Sequence, residues 1–374
     1  MIPRMTTVGT LKNYRYSLNG SNNTMTKAMN TVLTRRLFNS YAEDPALATR
    51  CFQIRNSYWK TQSQLNVNES LRHKYDVAWE SLNNMSTDLY ALAEDTSLTS
   101  VIRSVSDPTG PGRVALGQSL EAKAKDLAQM MNGRYGENYV FSGADTLNAP
   151  FTWETSPEDE NVKVLCYRGV RVDSNEPADV EKMEYFLNGE AKYIDVGLGH
   201  KEADGGVVSS TVFDSSLQGL YFTGGYGTTD GVEVEIENPD GTKKTMTVGN
   251  VPKNVISVVN EMGAILQRCD KKDGAWASEE DQFRFKALVD QFEKGCSSFR
   301  ERWTEMDTQS GFLRDNSELL TDTKDSLQQQ YMELEDADPA AAISDFMFAR
   351  YCYDAALKVG NSVLSQSLMD YMNL

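Results

Sequence analysis

FKALVDQFEKGCSSFRERWTEMDTQSGFLRDNSELLTDTKDSLQQQYMEL, residues 285–334, is the stretch on which the fold turns. Phe285, Phe292, Phe299, Met306, Leu313, Leu320, Leu327 and Leu334 recur at every seventh position. In a chain that is 40% apolar, one chosen register would do this roughly once in 1,500 tries, so the repeat is a structural signal. Leu288, Cys296 and Trp303 begin a second seam that gives way to polar residues. One firm stripe with a failing second seam predicts a long helix packed in a bundle, not a free two-stranded coil.

The N-terminal part mirrors this pattern. Thr7, Leu11, Tyr14, Leu18, Ser21, Met25, Ala28 and Val32 follow alternating four- and three-residue steps. Small and hydroxyl residues interrupt this stripe, so a helix over 7–32 is marginal in isolation. Asn39-Ser40-Tyr41-Ala42-Glu43-Asp44-Pro45 reads as a turn followed by a helix start. The next helix carries Cys51, Ile54, Tyr58, Leu65, Leu71, Tyr75, Leu82, Leu89 and Leu92 on its apolar stripe. Two prolines and two glycines in Asp107-Pro108-Thr109-Gly110-Pro111-Gly112 end it. A further helix follows, with Leu116, Leu120, Leu127, Met131 and Tyr135 on one face.

From about residue 137 the texture changes. Tyr139-Val140-Phe141, Val162-Lys163-Val164-Leu165 and Val170-Arg171-Val172 read as short strands. The clearest hairpin joins Val232-Glu233-Val234-Glu235-Ile236 to Thr245-Met246-Thr247-Val248 through Asn238-Pro239-Asp240-Gly241. A short helix over 255–266 closes the region before the Asp273-Gly274 turn. The expected fold is therefore mainly α, a coiled-coil-like bundle formed by both chain ends, with a β-rich insert in the middle. Its expected divisions are terminal helices at 1–44 plus 336–374, a helical rod at 45–150 plus 275–335, and an outer insert at 151–274.

After Asp336-Ala337-Asp338-Pro339 the chain reads as helix again. It mixes Phe346, Tyr353, Leu357, Leu364, Leu368 and Tyr371 with Ala349, Ala356 and Gly360. Apolar residues continue to Leu374, where chain ends are normally polar, so this end is expected to find a partner surface.

Composition narrows the function. A net charge of −17 argues against nucleic acid, whose binding needs phosphate neutralisation by Lys and Arg. Charge is also unevenly spread. Residues 1–60 carry nine Lys or Arg against Glu43 and Asp44, whereas 331–374 carry seven acids against Arg350 and Lys358. No apolar run is long enough to cross a membrane, and the first residues lack the apolar core of a cleaved signal peptide. Five widely spaced cysteines, Cys51, Cys166, Cys269, Cys296 and Cys352, form no C-x-x-C pair and read as buried small hydrophobes.

Catalytic and metal signals are missing from the pattern. His73 and His200 are the only histidines, and neither has a ligand partner at zinc spacing. There is no G-x-S-x-G elbow for a serine nucleophile. Gly225-Tyr226-Gly227-Thr228-Thr229-Asp230-Gly231 lacks the lysine and following helix of a phosphate loop and reads as a turn. The expectation is no catalytic residue, no cofactor and no metal.

Both ends of the chain resemble the flagellin superfamily, nearest to its hook-associated members. In the N-terminal part the carriers are Thr6-Thr7, Tyr14, Leu18, Asn39-Ser40, Asp44-Pro45 and Ala48, then Asn132-Gly133-Arg134-Tyr135-Gly136-Glu137-Asn138-Tyr139-Val140-Phe141-Ser142-Gly143. In the C-terminal part they are Leu334-Glu335-Asp336-Ala337-Asp338, Ala341-Ala342-Ile343, Ala355-Ala356-Leu357 and Leu364-Ser365-Gln366-Ser367-Leu368-Met369-Asp370-Tyr371. One departure stands out: Leu33-Thr34-Arg35-Arg36 replaces the family's serine-glycine-lysine stretch before Asn39-Ser40.

The resemblance implies a structural subunit of the bacterial flagellum at the hook–filament junction, with a filament subunit as the alternative and a secreted coiled-coil adhesin as a further one. It implies export to the extracellular flagellum without signal cleavage, through an export chaperone. Expected partners are other copies of the chain and neighbouring hook-associated and flagellin subunits, without nucleic acid or membrane. Terminal segments of the family order only on assembly, which must offset about 1–2 kcal/mol per residue of lost chain entropy. The expected assembly contacts are Leu11, Tyr14, Leu18, Met25, Val32, Phe346, Tyr353, Leu357, Leu364 and Leu368.

Overall fold

The computed structural model describes residues 7–38, 42–94, 110–156, 163–199, 201–203, 206–229, 231–237, 243–270 and 275–372. The protein is 67% helical, with long terminal helices and a small strand region in the middle, which makes it mainly α. It divides into two compact units, Gln64–Glu318 and the paired segments Met1–Ser63 and Leu319–Leu374.

Two long helices contribute to both units, α2 (Pro45–Glu94) and α7 (Glu279–Glu335). Helix α7 starts where Ser278 Oγ accepts the Asp281 amide at 3.0 Å. Glu279, Glu280 and Asp281 fill its first turn, where carboxylates favour the positive end of the helix dipole. The seven-residue repeat is buried as read: Phe285, Phe292, Phe299, Met306, Leu313 and Leu320 are all inaccessible, and Leu327 and Leu334 are half-covered.

In the larger unit, α2 covers this stripe with Leu65, Leu71, Tyr75, Leu82 and Leu89. Asn68, Ala78 and Met85 are buried as well and complete the steps that the larger apolar residues leave open. The helices run antiparallel. Asn68 Nδ2 donates to the Leu313 carbonyl at 2.7 Å, Tyr75 Oη to Gln309 Oε1 at 3.3 Å, and Trp79 Nε1 to Asp307 Oδ1 at 3.0 Å. Asn316, also buried, donates to Asn68 Oδ1 at 3.1 Å and to the Val196 carbonyl at 2.8 Å. A buried asparagine pair is satisfied in only one alignment of the helices, so it fixes their register.

Helix α3 (Gly110–Met130) places Pro111 in its first turn, where a missing amide costs nothing. Leu120, Leu127 and Met131 are buried and Leu116 is half-covered, on the face expected. Tyr135 departs from it. The helix ends at Met130, and Tyr135 lies in β1 (Arg134–Tyr135), paired antiparallel with β2 (Asn138–Tyr139) around Gly136 at φ +62°. The strand expected through Val140 and Phe141 stops at Tyr139, because Ser142 and Gly143 (φ +68°) turn the chain. Val140 and Phe141 are fully buried nonetheless.

The middle of the chain builds small strand pairs among its described residues. The three-stranded sheet β3 (Phe151–Thr155), β4 (Lys163–Tyr167) and β5 (Val170–Arg171) is antiparallel in the order 3-4-5. Short pairs join β6 (Tyr193–Ile194) to β9 (Phe213–Asp214) and β7 (Glu202–Ala203) to β8 (Gly206–Val207). A helix α4 (Pro177–Glu184) and a single turn α5 (Gly219–Phe222) lie between strands. The glycine-rich stretch is a turn, as its spacing suggests. Gly224, Gly225 and Gly227 all have positive φ (108°, 90° and 75°), and the chain leaves into β10 (Thr228–Thr229).

Strands β11 (Val232–Glu237) and β12 (Lys243–Val248) form the expected hairpin, with Val232 opposite Val248. Val234, Ile236 and Val248 face the core. Their Asn238–Gly241 turn lies outside the described residues, as do His200, the Asp273-Gly274 turn and Asp107–Thr109. Strand β13 (Val251–Pro252) pairs with β10 and leads into α6 (Val255–Arg268), the helix expected over 255–266. Asn254 caps it, accepting the Ile256 amide at 3.1 Å.

Helices α3 and α6 cross at a glycine pair. A Cβ on Gly117 would stand 2.7 Å from the Gly263 carbonyl, and one on Gly263 would stand 2.7 Å from the Gly117 carbonyl. Both obstacles are backbone, which cannot swing aside. Gly117→Ala should therefore destabilise the protein by about 1–3 kcal/mol, although alanine is worth about 1 kcal/mol more than glycine at an ordinary helix position. Denaturant unfolding measures the difference, and an unchanged or higher midpoint would contradict the tight crossing.

Candidate assembly interface

The smaller unit is built around α1 (Thr7–Thr34) and α8 (Pro339–Met372), which pack against each other. On α1 the side chains of Tyr14, Leu18, Ser21, Met25, Ala28 and Val32 are half-buried, while most of their neighbours are exposed. This is the stripe read from the sequence. Tyr14 is anchored in it by its hydroxyl, which donates to the Ala356 carbonyl at 3.1 Å. The Tyr14 ring lies on Gly360, where any Cβ would collide with it. Gly360 is thus a seat for an aromatic ring from the other end of the chain.

Elsewhere the seam is loose. An open groove of about 430 Å³ runs between the helices, lined by Ser21, Ala28 and Thr31 on one side and Phe348, Ala349 and Cys352 on the other. The small residues that interrupt the α1 stripe leave this space, so the pair gains less dispersion energy than a filled coiled coil would.

Of the expected contacts, Tyr14, Leu18, Met25, Val32, Phe346 and Tyr353 are half-covered within the chain. Leu11 and Leu357 remain 41% exposed. The side chains of Leu364 and Leu368 lie outside those described. The structure adds a set that sequence reasoning missed. Ile343, Met347, Tyr351 and Val359 are 52–72% exposed on the side of α8 turned away from the covered Ala342, Ala349 and Gly360, and Phe348 is 70% exposed at the rim of the groove. The signal was present: apolar residues occupy more of 339–360 than one helix face can hold, and a helix apolar on all sides is one that gets buried.

At the base of this unit the two connections meet. Arg36 and Asp336 form an antiparallel bridge, Leu37 N donates to the Glu335 carbonyl at 2.9 Å, and Ala337 N to the Arg35 carbonyl at 3.0 Å. Glu335 is 3% exposed and holds Arg36 Nε at 3.1 Å and Arg55 Nη2 at 3.0 Å.

The titratable side chains of the described residues can be placed one by one. No group of three His, Cys, Asp or Glu could hold a metal there, and no helix is long and apolar enough to cross a membrane. All five cysteines are free; Cys51, Cys166 and Cys269 are buried, while Cys296 and Cys352 are half-covered. Burial pushes the thiols of Cys166 and Cys296 up to about 12, far from the thiolate range. His73 is exposed, with Nδ1 3.9 Å from Asp76.

No protein-family model matches the chain, and no curated protein matches it in sequence. Solved structures do. Flagellar hook-associated protein 3 from Legionella pneumophila is similar with a TM-score of 0.50 at 12% identity, over 75% of this chain and 98% of that one. FlgL from Xanthomonas campestris is similar with a TM-score of 0.47 at 13% identity, over 75% and 99%. The fold is thus the one seen in the hook-associated protein 3 of Legionella pneumophila, a helical body from both chain ends with strands between.

The Tyr14–Gly360 contact offers a test of the helix pair. Gly360→Ala should lower helical content and the cooperativity of melting in far-ultraviolet circular dichroism, despite alanine's higher helix propensity. Tyr14→Ala in the same chain should restore it. Equal spectra for Gly360→Ala and the unaltered chain would mean that the ring does not sit there.

Proposed function

We propose that this chain is a structural subunit of the bacterial flagellum, seated at the junction between hook and filament, and not an enzyme. The fold supports the class of protein. The uncovered apolar face of α8, Ile343 to Val359, carries the assembly reading. Burying such side chains is worth about 25 cal/mol per Å² of apolar surface, and a subunit among neighbours gains this where a solitary chain does not.

On this reading the pieces 1–44 and 336–374 complete their ordering against neighbouring copies and against hook-associated and flagellin subunits. Leu11, Tyr14, Leu18, Met25, Val32, Phe346, Tyr353, Leu357, Leu364 and Leu368 supply the seam, joined by Met347 and Tyr351 on the outer face and Phe348 at the groove rim. Segments 45–150 and 275–335 form the helical body, and 151–274 an insert that tolerates change. An export chaperone covers the apolar end until the subunit leaves the cell, which places the mature protein in the extracellular flagellum.

Deleting residues 364–374 should leave a chain that folds and is exported but is not incorporated. Secretion assays alongside motility on soft agar read the two steps separately. Normal incorporation of the shortened chain would overturn the role of the terminal helices.

A further inference from the structure

The cluster around Glu335 does more than close a loop. Three segments converge on one carboxylate: Arg36 from the chain leaving α1, Arg55 from α2, and, some 280 residues further on, the end of α7 that carries Glu335 itself. The carboxylate is buried (side chain 4% exposed), while the two arginines reach in from solvent (54% and 42% exposed). Arg55 is fixed twice more, donating to Tyr331 Oη at 2.6 Å and lying over that ring at 5.0 Å. Ala48, Cys51 and Ala337 are buried in the same unit, and Glu335 is close enough to Cys51 to reinforce the upward push that burial gives its thiol. Arg35 sits at φ +57°, a left-handed turn that ends α1 and delivers Arg36 to the site.

The two arginines are not equivalent. Arg55 belongs to the same helix pair as Glu335 and stays with it whether or not α1 is in place. Arg36 arrives only when α1 is led down to the α7–α8 connection. Without Arg36 the buried carboxylate keeps one cation of two, and removing a partner from a buried pair is costly. With it, two backbone hydrogen bonds and an ion pair form together.

We propose that Glu335 is a root clamp: its buried carboxylate captures Arg36 and thereby fixes the base of α1 beside the base of α8, so that pairing of these two helices starts there and zips outward. Nucleation is the costly step in helix formation, and a clamp that holds both chains at one point removes most of the loop-closure cost of the first contact. The loosely packed seam above it, with its open groove, then needs only to propagate. The inference does not depend on where the subunit sits in the flagellum.

Amide hydrogen exchange on the free full-length chain tests the clamp, with Glu335→Gln and Arg36→Gln as variants. In the unaltered chain, amides of residues 31–37 and 335–342 should be protected even while the helix pair above them awaits assembly to complete its ordering. Both variants should exchange there roughly tenfold faster or more, with protection across residues 64–318 unchanged. Arg36 is largely exposed, so its variant keeps the test decisive if Glu335→Gln fails to fold. The clamp is overturned if these amides are unprotected in the unaltered chain, or if Arg36→Gln leaves their protection as it was.

Discussion

A helix with one apolar stripe cannot stand alone in water, and the architecture follows from how α7 is covered. Its cover in the larger unit is α2, with Asn68 meeting Leu313 across 245 residues of sequence. The apolar stripes would tolerate sliding by a turn or a heptad, because one leucine fits beside another. The Asn68–Asn316 pair would not, since a slip leaves buried amides without partners. Register is therefore set by two polar residues among apolar ones. With α2 and α7 aligned, the chain between them is anchored at both ends, and its strands and short helices fill the space left over. Lys74 shows the same economy: it is held by the Ser215 carbonyl at 2.8 Å, and burial lowers its ammonium to about 8.

How much of this was legible beforehand depended on periodicity. The seven-residue repeat from Phe285, the α1 stripe and the β11–β12 hairpin could be read because each repeats one environment many times. Features made by a single contact could not. Gly117 and Gly263 look like ordinary helix glycines until the two backbones are brought together. Asn68 and Asn316 look like solvated polar residues. Tyr135 fits the α3 stripe by spacing, yet the chain turns at Met131-Asn132 before reaching it. The β-rich texture of the middle was correct in kind, but many of its strand pairs are two residues long, because glycines and prolines interrupt pairing before it can extend.

The candidate interface divides in the same way. The residues chosen from stripes turned out to be mostly the inner seam, half-covered by the chain's own partner helix. The outer face of α8 has no period of its own, since Ile343, Met347, Tyr351 and Val359 fall among the apolar residues of the inner seam in the sequence. Its exposure makes sense for a subunit whose surroundings are other subunits. The loose α1–α8 seam fits the same picture, since a pair with an open groove between its helices is marginal alone and gains from further burial against a neighbour. Arg36 and Glu335 add a fixed point from which such a pair can start.

The central claim concerns place, and the direct measurement is gold labelling of intact cells with an antibody to this chain, viewed by electron microscopy. The account predicts label confined to one spot on each flagellum, where hook meets filament. Label along the whole filament would make the chain a filament subunit, and label on the cell body with bare flagella would remove it from the flagellum altogether.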